Sequence, residues 1–143
     1  MTKLYLDIDG VLVAGASGAN GPVLANHAEE FLTFALEAFD VYWLSTHCDG
    51  TTAPVLEYLA PSCGQAMMEL LRRVKPTAFK TLKTEAFETI GPDFVWLDDA
   101  PLAVEKDWLR ARGLLANLIE VNTRKRPDDL KRAMRALRAR QTE

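Results

Sequence analysis

Three short apolar runs, each followed by polar residues, restrict the fold of this chain more than any other feature of its sequence. The runs are residues 4–8 (LYLDI), 41–44 (VYWL) and 94–97 (FVWL). Apolar runs of this length, rich in aromatic and branched residues, are typical of buried β-strands. Segments with helical spacing separate them, and strands that alternate with helices favour a mainly parallel sheet with helices on both faces. We therefore expect an α/β fold.

The remaining segments predict the helices and further strands. Pro22 suits the first position of a helix, and apolar residues at helical spacing continue from there to Phe39. We also expect helices over residues 51–60, 64–74, 81–90, 101–112 and 127–140, a strand over 116–121, and a flexible loop or short hairpin over 14–21. Residues 77–82 could contain one more strand. Residues 11–13 follow a glycine and, together with residues 4–8, predict one buried strand that ends in a turn.

Length and composition predict one ordinary globular domain. The chain has 143 residues, of which 48% are hydrophobic and 26% charged, values close to the averages for soluble domains. No apolar run approaches the ~20 residues that cross a bilayer, and Asp7 and Asp9 interrupt the N-terminal apolar stretch too early for a signal peptide. Cys48 and Cys63 are spaced as neither a redox pair nor a zinc site. We expect a cytoplasmic protein without a membrane partner.

Polar side chains lie at or just after the ends of the three apolar runs, where ligands bind in parallel sheets. They are Asp7 and Asp9, Ser45 and Thr46, and Asp98 and Asp99. Carboxylates gathered at one edge repel one another, by about 4 kcal/mol for a pair ~4 Å apart at an effective dielectric constant of 20. A cation among them would offset this repulsion, and oxygen ligands favour Mg²⁺ over softer metals. The sequence therefore predicts a metal site.

The same segments resemble the signatures of the haloacid-dehalogenase-like (HAD) superfamily. Residues 7–11 (DIDGV) resemble the first signature, in which a hydrophobic strand is followed by Asp-x-Asp-Gly-Thr/Val. VYWLST resembles the second, a strand ending in Ser or Thr, and FVWLDD resembles the fourth, a strand ending in paired aspartates. The third signature is a lysine upstream of the last strand, for which Lys80 and Lys83 both qualify. The resemblance covers residues 4–99.

The resemblance implies a single Rossmann-like domain with the activity of a Mg²⁺-dependent phosphatase. Asp7 would be the nucleophile that forms an aspartyl-phosphate, and Asp9 the general acid and base; an aspartate at position 9 separates the family's phosphoryl-transfer members from its dehalogenases. Asp7, the main-chain carbonyl of Asp9, and Asp98 would hold Mg²⁺, with Asp99 binding through water or behind the direct ligands.

The resemblance also implies a set of groups around the phosphoryl oxygens. Ser45 is preferred to Thr46 because it directly ends the apolar run, and Lys83 is preferred to Lys80 because KTEAF begins a predicted helix, whose N-terminus attracts anions. Gly10 would permit the sharp turn after Asp9. His47 and Asp49 follow the second signature as either substrate contacts or ordinary loop residues.

The sequence is compatible with several substrates and with more than one reaction. The segments between the signatures are too short for a sizeable cap domain, so the site would admit a bulky or macromolecular phosphate or be covered by a neighbouring subunit. Transfer of the phosphoryl group to an acceptor other than water is a further alternative. A different class of function is a non-catalytic phospholigand- or partner-binding module that retains the metal site.

The charge of the chain is unevenly distributed. Residues 124–140 contain eight Lys and Arg against two acids, although the net charge of the whole chain is −3. Such a segment could attract nucleic acid. Leu130, Met134 and Leu137 nevertheless predict that one face of this helix packs inward, and no aromatic residue is interleaved there to stack bases. We therefore favour a solvated helix face over a nucleic-acid interface.

Overall fold

A four-stranded parallel sheet forms the centre of the protein. The computed structural model describes residues 1–16 and 21–141. The sheet has the strand order β4-β1-β5-β6, and the other two strands, β2 and β3, form a separate antiparallel pair. The strands are β1 (Lys3–Leu6), β2 (Val13–Ala16), β3 (Pro22–Leu24), β4 (Asp40–Trp43), β5 (Phe94–Asp98) and β6 (Leu118–Glu120). The predicted α/β fold with a mainly parallel sheet is thus confirmed.

Five α-helices of the described residues surround this sheet. They are α1 (Ala28–Ala38), α2 (Ala53–Leu59), α3 (Gln65–Arg72), α4 (Ala103–Ala111) and α5 (Asp129–Gln141). Short 3₁₀ helices cover Ala60–Ser62, Lys83–Phe87 and Leu115–Asn117. No helix in residues 1–16 and 21–141 is long and apolar enough to cross a membrane.

The core lies on both sides of the sheet because neighbouring residues of a strand point to opposite faces. Leu4 and Leu6 of β1 belong to a large cluster of buried residues that also contains the apolar faces of α1, α3 and α5. Tyr5, between them, belongs to a second cluster with Phe87, Trp96 and Leu109 of α4. This arrangement explains why β1 and β5 are apolar at almost every position.

The segment around Pro22 differs from the prediction. Pro22 begins β3 instead of a helix, and α1 begins only at Ala28. The reason is tertiary: Val13 of β2 pairs with Leu24, and the amide of Ala25 donates to the carbonyl of Leu12 at 2.7 Å. This pairing buries the apolar residues on both sides, which outweighs the local preference of proline for a first helical position. Residues 17–20 of the predicted loop or hairpin lie outside the described residues.

The segment at residues 81–90 also differs from the prediction. Only Lys83–Phe87 is helical, as a 3₁₀ helix. The carboxylate of Glu85 accepts hydrogen bonds from the amides of Lys80, Thr81 and Leu82, at 2.8–2.9 Å. These bonds stabilise a turn before the helix, and Gly91 and Pro92 follow it. Residues 46–93, all of them described, contribute no strand to the sheet, so the additional strand considered for residues 77–82 is not formed.

Asp129 joins the last strand to the last helix. Its side chain is 3% exposed and accepts hydrogen bonds from the amide of Asn122 at 2.8 Å and from Arg132 Nε at 2.7 Å. Arg126 lies 3.2 Å from the same carboxylate. Burial opposes the charged form, but the hydrogen bonds from Arg132 and Arg126 outweigh it and hold the pKa of Asp129 well below its usual range.

We predict that Asp129→Asn lowers the free energy of unfolding at neutral pH by about 2 kcal/mol, the size of a hydrogen bond to a charged group. Because the folded-state pKa of Asp129 is depressed, its contribution is complete above the ordinary carboxyl range and is lost as the pH falls below about 4. Denaturant titrations from pH 7 to pH 3 should show that the difference in free energy of unfolding between wild type and variant becomes smaller as the pH falls.

Asp107→Asn is the matched control for this substitution. Asp107 forms an exposed ion pair with Arg110 within α4, a contact expected to contribute no more than about 0.5 kcal/mol. The role assigned to Asp129 would be contradicted if the stability loss of Asp129→Asn stayed constant down to pH 3. It would also be contradicted if that loss were no larger than the loss caused by Asp107→Asn.

Candidate active site

The register of the central strands brings the first and last acidic segments together. Leu6 of β1 is level with Leu97 of β5, and the amide of Asp7 donates to the carbonyl of Leu97 at 3.0 Å. Asp7 and Asp98 therefore follow at the same carboxyl edge of the sheet. Oxygens of Asp7, Asp98 and Asp99 lie within 4.8 Å of one another, and we call these three residues the Asp cluster.

Gly10 provides the turn that seats Asp99 beside the first strand. Its φ of 81° lies in the left-handed region, and a Cβ atom built on it would lie 2.1 Å from Asp99 Oδ2. The amide of Gly10 donates to the carbonyl of Val13 at 2.7 Å, while its carbonyl accepts from the amide of Thr123 at 2.9 Å. The turn is thus fixed on both sides and leaves room for Asp99 only because residue 10 has no side chain.

Lys83 places an ammonium group among the carboxylates. Its Nζ atom lies 2.6 Å from Asp98 Oδ2 and 3.3 Å from Asp7 Oδ1. Lys80 is the other lysine considered for the third signature. It is exposed, and its backbone amide donates a hydrogen bond to the carboxylate of Glu85. Of the two lysines, the structure therefore brings Lys83 to the Asp cluster.

Glu105 anchors Lys83 from the first turn of α4. This carboxylate is buried and accepts hydrogen bonds from the amide of Lys83 at 2.7 Å and the amide of Leu102 at 2.8 Å. A buried carboxylate with two backbone partners fixes the position of the residue to which it bonds. Glu105 therefore holds the backbone of Lys83 against α4, from which the lysine side chain reaches the Asp cluster.

Burial and mutual repulsion shape the electrostatics of the cluster. Burial, with the nearby charge of Asp98, raises the pKa of Asp7 to about 7, although Lys83 opposes the shift. Burial and the charge of Asp98 also raise the pKa of Asp99, whose Oδ2 lies 3.4 Å from Arg124 Nη1. Burial disfavours the charged form of Lys83, yet Asp7 and Asp98 outweigh it and raise the pKa of the lysine. The cluster favours added positive charge.

The carboxylate of Asp9 is held apart from this cluster. Tyr58 Oη donates to Asp9 Oδ1 at 2.6 Å, and His47 Nε2 lies 2.7 Å from Asp9 Oδ2. Burial alone would raise the pKa of Asp9, but the hydrogen bonds with Tyr58 and His47 outweigh it and lower the pKa. Three of the four carboxylates thus form the Asp cluster, and the carboxylate of Asp9 has Tyr58 and His47 as its partners.

Ser45 and Thr46 lie in different surroundings after β4. Ser45 is buried, and its Oγ accepts a hydrogen bond from the amide of His47 at 3.2 Å. Thr46 is exposed and lines a cleft of about 220 Å³ together with Lys83 and Glu105. Ser45 thus orders the loop that carries His47, and Thr46 borders a cleft that Lys83 also lines.

Three residues around the site were not assigned a role there from the sequence: Tyr58, Glu105 and Arg124. Tyr58 and Glu105 occur within predicted helices, where nothing in the spacing marks a tyrosine or a glutamate as facing a distant strand end. Arg124 was counted only as part of the basic segment. His47 was singled out by its position after the second signature, which was the one sequence signal for this side of the site.

The basic C-terminal segment uses several of its cations within the protein. Leu130, Met134 and Leu137 are buried, as the helical spacing predicts. Arg132 bonds to Asp129, the guanidinium of Arg138 lies 4.7 Å from the ring centroid of Phe34, and Arg140 bonds to the carbonyl of Ala116. These contacts support the interpretation of the segment as a helix with one solvated face.

No family model, curated protein or solved structure shows a significant match to this chain. The chemistry of the site is therefore argued from its residues. The Asp cluster is a donor set of oxygens alone, the kind that binds hard divalent cations in proteins. Lys83, which contacts Asp7 and Asp98, also lines a cleft together with Thr46 and Glu105.

We predict that Gly10→Ala lowers stability and disturbs the Asp cluster. The left-handed backbone costs an L-residue about 1–2 kcal/mol, and displacement of the Asp99 side chain adds about 1–3 kcal/mol of overpacking strain. Gly113→Ala is the matched control, because Gly113 has a φ of 70° and a Cβ atom built on it meets no atom within 4 Å. Chemical denaturation of both variants separates the backbone cost from the cost of the clash; equal losses would contradict the assigned contact with Asp99.

Proposed function

We propose that this protein is a Mg²⁺-dependent phosphomonoester hydrolase of the HAD type that acts through an aspartyl-phosphate. The observation that carries the proposal is the placement of Asp7 beside Asp98, with Lys83 Nζ within 3.3 Å of both carboxylates. A nucleophilic carboxylate, a further metal-ligating carboxylate and a phosphate-binding cation are the parts that phosphoryl transfer to an aspartate requires. These parts come from three separate segments in the order of the family signatures.

We further propose a single Rossmann-like domain without a cap. The described residues of the first segment available for a cap form the β2–β3 pair and α1, and the second segment folds largely as α2 and α3. Both sets of elements contribute to the cluster of buried residues on one face of the main sheet. This packing supports an open site that accepts a phosphate on a bulky substrate.

The residues of the Asp cluster fit Mg²⁺. Carboxylate oxygens are ligands that Mg²⁺ prefers, and those of Asp7, Asp98 and Asp99 lie within 4.8 Å of one another, close enough to share one cation. Asp7, Asp98 and the main-chain carbonyl of Asp9 would hold the ion, with Asp99 behind them or bridged by water. Bound Mg²⁺ supplies positive charge that stabilises the phosphoryl oxygens during transfer.

The first chemical step is assigned to Asp7 and Asp9. A carboxylate oxygen of Asp7 attacks the phosphorus atom, the bond from phosphorus to the leaving oxygen breaks, and Asp9 gives that oxygen its proton. In the second step Asp9 takes a proton from water, whose oxygen attacks the phosphorus of the aspartyl-phosphate. Inorganic phosphate leaves, and the Asp7 carboxylate is restored.

The remaining residues bind the phosphoryl oxygens. Lys83 supplies an ammonium group next to the nucleophile, and Ser45 supplies a hydroxyl at the end of the neighbouring strand. Thr46 lines the cleft beside Lys83. Gly10 permits the sharp turn after Asp9 and leaves the space that the Asp99 side chain occupies beside the nucleophile. Positioned donors of this kind match the charge on the three oxygens as it is redistributed.

We predict that the purified protein hydrolyses an aryl phosphate only with Mg²⁺ and that Asp7→Asn lowers kcat by roughly a thousandfold or more, because the amide is a poor nucleophile. The measurement is release of the aryl alcohol across a panel of phosphates. Asp107→Asn, an exposed substitution on α4, is the control and should retain wild-type activity.

Two results of that measurement would contradict the proposal. If wild type and Asp7→Asn were equally inactive on a broad phosphate panel yet both bound Mg²⁺ or a phospholigand, the protein would be a non-catalytic binding module. If the product carried the phosphate on an acceptor other than water, the protein would be a phosphotransferase.

We also predict that saturating Mg²⁺ raises the melting temperature of the wild type by several degrees. An ion that binds only the folded state adds about 2.7 kcal/mol of stability at a hundred times its Kd. Asp98→Asn removes one carboxylate of the cluster and should abolish most of this shift, whereas Asp107→Asn should keep it. A shift of the same size in all three proteins would place the ion elsewhere.

A further inference from the structure

The carboxylate of Asp9 is held through both of its oxygens by two aromatic side chains. Tyr58 Oη lies 2.6 Å from Oδ1 and His47 Nε2 lies 2.7 Å from Oδ2. The two rings are themselves stacked, with centroids 4.0 Å apart and an angle of 12° between their planes. We call this arrangement the Asp9 bracket. It uses residues that the phosphatase chemistry described above leaves without a role.

We propose that His47 and Tyr58 are positioning residues that hold the Asp9 carboxylate outside the Asp cluster, where it can exchange a proton with the leaving oxygen and with water. This inference deepens the proposed function and rests on it. It assigns no direct contact with the reacting phosphate to His47 or Tyr58; both residues act through Asp9.

Tyr58 and His47 are each held in place by a different segment of the chain. Tyr58 lies on α2 between residues that anchor the helix, since Val55 and Leu59 are fully buried. His47 follows β4, and its amide donates to the buried Oγ of Ser45. The stacked rings restrict each other further. Two partners with independent supports define the direction of a carboxylate more closely than one, because a single hydrogen bond allows the group to rotate.

The bracket meets a specific need of a site with four carboxylates. Asp9 is two residues from Asp7, so its carboxylate is within reach of any cation that the Asp cluster attracts. A carboxylate drawn onto that cation would be lost as a proton donor and acceptor. Hydrogen bonds with Tyr58 and His47 supply Asp9 with its own partners, separate from Lys83, which serves Asp7 and Asp98. The acid–base carboxylate and the nucleophile are thus stabilised by different groups.

The consequence appears in how the reaction depends on the leaving group. A general acid matters most when the departing oxygen is strongly basic, as in an alkyl phosphate, and least when it leaves readily as p-nitrophenolate. The ratio kcat/KM reports the steps up to formation of the aspartyl-phosphate, which include departure of that oxygen. A misplaced Asp9 should therefore make kcat/KM more sensitive to the leaving group.

The experiment measures kcat/KM with Mg²⁺ for a series of alkyl and aryl phosphates. Tyr58→Phe removes the hydroxyl that donates to Asp9 and keeps the aromatic ring. In His47→Asn the side chain is too short for its amide nitrogen to reach the position of Nε2. For each variant we expect a loss of about ten- to a hundredfold on alkyl phosphates, part of the roughly 10²–10⁴-fold that acid–base catalysis supplies, and less than about threefold on p-nitrophenyl phosphate. His47→Gln, whose amide nitrogen can reach the position of Nε2, should recover most of the loss.

Tyr42→Phe is the matched control. Tyr42 also donates to an aspartate, Asp40, at 3.0 Å, but this pair lies at the start of β4, away from the Asp cluster. The variant should leave the leaving-group dependence unchanged.

The inference and the proposed function fail in different ways. If Tyr58→Phe and His47→Asn lower kcat/KM by the same factor for every leaving group, the positioning role is overturned while the phosphatase stands. If His47→Gln loses as much kcat/KM on alkyl phosphates as His47→Asn, the hydrogen bond between residue 47 and Asp9 is not the cause of the loss. A wild type without Mg²⁺-dependent turnover on any member of the series contradicts the proposed function, and the inference fails with it.

Discussion

The parallel pairing of β1 with β5 determines where the acidic side chains of this protein meet. Leu6 and Leu97 are level in the sheet, so Asp7 and Asp98 leave it at the same edge. A shift of one residue in this register would direct Asp98 to the opposite face of the sheet. The apolar residues before the two aspartates prevent such a shift, because they are buried on both faces. The packing of the core thus fixes the geometry of the site.

The carboxylates that meet at this edge of the sheet repel one another, and neighbouring side chains offset this repulsion. Lys83 is placed between Asp7 and Asp98, and its backbone amide donates a hydrogen bond to Glu105 of α4, which holds it there. On the other side of the site, the Asp9 bracket stabilises a fourth carboxylate without using Lys83. The arrangement separates Asp7, the proposed nucleophile, and its partner Lys83 from Asp9, to which we assign proton transfer. Such a division allows two carboxylates in one site to carry out different chemistry.

The sequence was informative where a pattern is local and repeated. The apolar runs identified three strands of the sheet, and the polar residues after them identified the edge at which the site lies. It failed at Pro22, since pairing of Val13 with Leu24 is a contact between segments that no local preference encodes. Tyr58 and Glu105 were missed for the same reason. The contacts of Tyr58 with Asp9 and of Glu105 with Lys83 depend on how α2 and α4 pack against the sheet, which the spacing within these helices does not specify.

The central claim is that Asp7 becomes covalently bound to phosphorus, and trapping the adduct tests it most directly. The protein is quenched during turnover of an aryl phosphate with Mg²⁺ and reduced with borohydride, which converts an aspartyl-phosphate into homoserine. Peptide mass spectrometry then locates the modified residue. We predict homoserine at position 7, formed only when substrate is present. Turnover with no modified aspartate, or with the modification at another position, would contradict the claim.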